Sequence, residues 1–167
     1  MILIAALCVR SGRADIALSV AWHERHCVSN LQGALDPRKS VVAVASDATN
    51  NLPVMAVINS TISNARQPEL VSFVIITRQV RRLTSTLFDH FPTYELTVCG
   101  GFSELLMQRP ALSKLMTLHN STRIMRKELL SPFIFAAFFL PYVLHDSIRV
   151  LYLDSDVVGK SVGGELH

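Results

Sequence analysis

The stretch that most constrains this chain lies near its end: Arg149-Val150-Leu151-Tyr152-Leu153-Asp154-Ser155-Asp156-Val157-Val158. Four apolar residues run into two carboxylates spaced i, i+2. An apolar run rich in β-branched and aromatic types predicts a buried central strand. Side chains two apart on an extended chain share a side, so Asp154 and Asp156 are expected to converge where the strand ends. In an open α/β sheet, ligands bind at that carboxyl end. Two adjacent carboxylates repel, and burying them unpaired is costly. A hard divalent cation, Mn²⁺ or Mg²⁺, relieves both problems and bridges carboxylates to substrate phosphates. The plainer alternative is that the two aspartates cap a strand and open a turn.

The chain has 167 residues, enough for one domain with a real core. Half the residues are apolar and only 17% are charged, which excludes a disordered chain. The basic clusters Arg78, Arg81, Arg82 and Arg123, Arg126, Lys127 are not interleaved with stacking aromatics. With a net charge of only +3, no nucleic-acid partner is expected. Cys8, Cys27 and Cys99 form no Cys-x-x-Cys pattern, which argues against zinc. They read as three small apolar residues, with at least one thiol left over if the protein is secreted.

Residues 1–39 read as a leader or stem. The apolar run Ile2 to Val9 is too short to span a bilayer and reads as a short signal or an anchor remnant. His23 and His26 have the spacing of two ligands on one helical face, but no third ligand is evident. The globular part is expected over 40–167. Val41 to Ala45 reads as a strand ended by Ser46-Asp47, and Val54 to Ser63 as a helix. Asp47 is a candidate both for contacting a base or ribose and for capping that helix. Leu70 to Ile76 and Tyr94 to Val98 read as further strands, with an arginine-faced helix over Gln79 to Phe88 between them. This β-α-β-α-β order implies a largely parallel sheet. The first loop lacks the glycine-rich phosphate fingerprint.

Gly100-Gly101 breaks the pattern, and Phe102 to Leu130 reads as an irregular segment with short helices. It holds the glycosylation acceptor triplet Asn120-Ser121-Thr122; a second, Asn59-Ser60-Thr61, falls inside an expected helix. Pro132 opens a strongly apolar helix, too short to cross a membrane and read as core beneath the sheet.

Taken in order, several motifs resemble glycosyltransferase family 8: Val42-Ala43-Val44-Ala45-Ser46-Asp47, Ala56 to Asn64, Glu128 to Pro132, Phe138-Phe139-Leu140-Pro141, and Arg149 to Val158. The resemblance covers about residues 40 to 166. It implies a GT-A fold, that is, a Rossmann-like α/β architecture with a mostly parallel sheet, here incomplete at the C-terminus. It further implies retaining transfer of a sugar from a UDP-sugar donor to a glycan, protein or lipid acceptor, with Mn²⁺ (or Mg²⁺). Asp154 and Asp156 match the metal-binding motif, and Ala45, Ser46, Asp47 and Ser155 fall at donor-contacting positions. The family's setting implies the Golgi or ER lumen, with a membrane anchor in the full-length protein.

Two departures bear on activity. Where the family reads Leu-Asn-Phe-Ala-Arg-Phe-Tyr-Leu-Pro, this chain has Ile134 for the asparagine and Ala137 for the donor-steadying arginine. Alanine cannot supply the charge-assisted hydrogen bonds an arginine makes to a diphosphate. Gly159-Lys160-Ser161-Val162 also lacks the family's third aspartate, and the family's distant histidine ligand lies beyond His167. A truncated form with weak or no transferase activity is therefore expected; the alternative is an inactive nucleotide-sugar-binding or interaction module. A more distant alternative is a haloacid-dehalogenase-like phosphatase, with Asp154 as nucleophile and Asp156 as general acid. That motif normally opens its domain, and here it comes late.

Overall fold

The computed structural model describes residues 13–31, 38–47, 50–108, 131–144 and 149–155. These form an α/β fold around one five-stranded mixed sheet. In chain order the elements are α1 (Arg13–His26), β1 (Cys27–Ser29), β2 (Ser40–Ser46), α2 (Leu52–Asn64), β3 (Val71–Thr77), α3 (Val80–His90), β4 (Glu95–Cys99), α4 (Phe102–Met107), α5 (Ala136–Val143) and β5 (Val150–Asp154). A 3-10 turn precedes β3 at Pro68–Leu70, and another precedes α5 at Pro132–Phe135. The strand order is β1-β4-β3-β2-β5. The four long strands are parallel, and β1 joins antiparallel at one end. The arrangement is compatible with a Rossmann-like fold.

Both faces of the sheet are covered, which is why β2 and β3 are nearly continuous apolar runs. On one face Val42, Val44, Phe73, Ile75, Leu96 and Val98 meet α2 and α3. These helices present Val54, Val57 and Ile58, and Leu83 and Leu87, at the spacings that line up along one helical stripe. On the opposite face Val41, Ala43, Ala45, Val74 and Ile76 meet Trp22, Phe102 and Phe139. α5 buries Ala136, Phe139, Leu140 and Val143, an i, i+3, i+4, i+7 set, and leaves Phe138 exposed.

Two expectations change. The run before Asp154 was expected to form a central strand. Among the described residues β5 instead stands at the end of the sheet, paired only with β2, and Val150 to Leu153 are half-buried. Helices covering both faces demand apolar side chains of an end strand as well as a central one. Three ordinary cysteines were also expected, whereas Cys27 and Cys99 form a disulfide between β1 and β4. The stretch read as a stem contributes α1 and β1, and its Trp22 is buried in the core. Met1 to Val9, Asn120 and the second basic cluster lie outside the described residues.

Candidate functional site

From β2 the chain steps outward through β3 to β4, then returns to place β5 on the other side of β2. The strand order therefore reverses at β2, with β3 on one side and β5 on the other. In open parallel sheets the carboxyl ends of the strands at such a reversal are the general ligand position.

Of the residues singled out from sequence, Ala45, Ser46, Asp47, Asp154 and Ser155 lie at the carboxyl ends of β2 and β5. In the β2–β5 register Ala45 lies beside Asp154. The alternation along β5 sends Leu151 and Leu153 toward α2 and α3, and Val150 and Tyr152 toward the opposite face. Asp154 follows in phase with Tyr152, on the face that Ala45 shares. Asp154 is exposed, and its Oδ1 accepts a hydrogen bond from the Ser155 backbone N–H at 2.8 Å. Ala45 and Ser46 are buried, whereas Asp47, just past the strand end, is exposed. Asp156 lies outside the described residues.

Of Asp47's two candidate roles, helix capping drops out. α2 starts at Leu52 with Asn51 as its N-cap, and the Asn50 side chain accepts the Leu52 N–H at 3.0 Å. Asp47 is left exposed just past the end of β2.

Tyr152 lies one strand repeat behind Asp154. Its hydroxyl is pushed up to about 12, first by burial and second by the negative charge of Asp154. A phenol that stays neutral adds no further negative charge behind the carboxylate.

Arg78 acquires a position that its place in a basic cluster did not reveal. It follows β3 directly, at the same end of the sheet, and its guanidinium lies 5.5 Å from the centre of the Phe133 ring. Ring contact restricts an otherwise floppy side chain while leaving its N–H groups exposed. The readable signal was an arginine immediately after an apolar strand. Ala137, where the family resemblance calls for an arginine, is buried.

A hard divalent cation fits the donor type present. Asp154 offers a solvent-facing carboxylate with one oxygen held by Ser155, and such ions keep several waters while using one or two protein carboxylates. Among the described residues no helix is long and apolar enough to cross a membrane. No family model, no curated protein and no solved structure matches the chain.

Proposed function

We propose that this chain is a nucleotide-sugar-binding α/β domain of the GT-A, family 8 glycosyltransferase type. In this reading it takes a UDP-sugar, with Mn²⁺ or Mg²⁺, at the carboxyl ends of β2 and β5. The observation that carries the reading is the pairing of Ala45 with Asp154 where the strand order reverses. Asp154, with Asp156, would hold the cation. When bound, the cation supplies charge neutralisation for the diphosphate and for a leaving nucleoside diphosphate. Ala45 and Ser46 form the floor beneath the nucleoside, and Asp47 offers acceptor oxygens to the uracil or ribose. Arg78 adds a cation at the same end of the sheet.

Binding without efficient transfer is the second reading, and Ala137 favours it. That position is buried and contributes no hydrogen-bond donor toward a diphosphate. In either case calorimetric titration with UDP is expected to show binding that requires Mn²⁺. Asp154→Asn should weaken it about tenfold or more, the scale of one lost charged contact. UDP affinity that ignores both the metal and Asp154 would refute the assignment. Measured UDP-sugar turnover by the wild-type chain would separate a transferase from a binding module.

A further inference from the structure

A second group of ligating side chains lies at the opposite edge of the sheet. His23 and Cys27 are spaced i, i+4 where α1 gives way to β1. Cys99 ends β4 directly across from Cys27, with 4.0 Å between their Cα atoms. One donor atom from each of the three lies within 4.8 Å of the others. The surroundings fix this geometry. The Gly100 N–H donates to the His26 carbonyl at 2.8 Å. Asn30 exchanges bonds with β4 through the Leu96 N–H and carbonyl and the Tyr94 carbonyl. The Ser29 and Thr97 hydroxyls meet at 2.8 Å. These contacts hold β1 on β4 independently of the sulfur–sulfur bond.

We propose that His23, Cys27 and Cys99 form a redox-gated site for a thiophilic divalent cation of the zinc type, closed while the disulfide stands and open once it is reduced. A dithiol reductant exchanges with the Cys27–Cys99 bond. It leaves as a cyclic disulfide, and both cysteines become thiols. Zn²⁺ then binds the two sulfurs and releases their two protons to solvent. Tetrahedral zinc at its usual bond lengths sets its sulfurs about 3.8 Å apart. Cysteines facing each other across an antiparallel pair reach that separation by side-chain rotation alone. His23 supplies the third ligand. Since His23 and Cys27 are only half-buried, the fourth position faces solvent, as in zinc sites that exchange a water.

The test uses the full chain carrying Cys8→Ser, titrated with Zn²⁺ or Co²⁺ in its oxidised form and after phosphine reduction. Circular dichroism is recorded throughout. The reduced chain is expected to bind one ion more than the oxidised chain, with a thiolate-to-cobalt absorption band that the oxidised chain lacks. His23→Asn, which leaves the disulfide intact, should lower the reduced chain's affinity about tenfold or more, a metal–imidazole bond being exchanged for water. Refolding by Zn²⁺ of a reduced chain that had lost structure also supports the site. Failure of the reduced chain to bind, folded or not, overturns the proposal. So does the same number of bound ions in the oxidised chain, or a thiolate-band affinity indifferent to His23→Asn.

Discussion

At the β1 end of the sheet the chain is held by a disulfide, a buried tryptophan and a ladder of side-chain bonds. Trp22 is fully buried and its indole N–H donates to the Gly101 carbonyl at 3.4 Å. Gly101 sits in the left-handed region, and a side chain there would run into the His26 ring. At the β5 end the only neighbouring strand among the described residues is β2, the strand is half-buried, and its last residue is an exposed carboxylate. The contrast is between a cross-linked, well-buried edge and one that ends in a solvent-facing carboxylate. A carboxylate that faces water is reachable, which is what capturing a cation requires.

The largest expected effect is at the β1 end. Trp22→Ala should cost about 3–5 kcal/mol in denaturant unfolding, whereas Leu151→Ala, truncating a half-buried side chain at the other end, should cost about 1–2 kcal/mol. Equal costs would break the comparison. Next comes the disulfide, which joins residues 72 apart in sequence. Reducing it without metal should lower stability by about 2–4 kcal/mol, chiefly by freeing the unfolded chain. Gly101→Ala should follow at about 1–3 kcal/mol, because its φ of 63° is strained for alanine.

A smaller effect sharpens the picture at the β5 end. Unfolded tyrosine ionises near pH 10, whereas Tyr152 in the fold is pushed up to about 12. The unfolded chain therefore loses its proton first. The contribution of Tyr152 is intact below pH 10 and is lost as pH rises from 10 through 12. Comparing wild type with Tyr152→Phe across that window should show the variant losing less stability. Smallest of all is Asp154→Asn, whose effect on stability should stay within about 0.5 kcal/mol because the side chain is exposed. A large loss there would make Asp154 a structural residue.

The parallel core could be read from hydrophobic patterning. Val41 to Ala45 and Leu70 to Ile76 are runs that only a sheet covered on both faces explains, and their carboxyl ends lie at the Asp154 end of the sheet. Position within the sheet could not be read this way, because an end strand beneath helices is as apolar as a central one. That is why β5 was expected in the middle. The β1 end was missed for a different reason. The pairing of Cys27 with Cys99 joins residues far apart in sequence, and β1 is only three residues long, too short for any period. Arg78 showed as part of a charge cluster, whereas its contact with Phe133 depends on tertiary packing.

The central claim is that a hard cation binds at the paired carboxyl ends of β2 and β5. Paramagnetic broadening of backbone amide signals by Mn²⁺, recorded on the oxidised chain, tests it most directly. The account predicts broadening centred on Ala45 to Asp47 and on Asp154 and Ser155, abolished by Asp154→Asn. Broadening centred on His23 and the β1 edge, or left unchanged in Asp154→Asn, would contradict it.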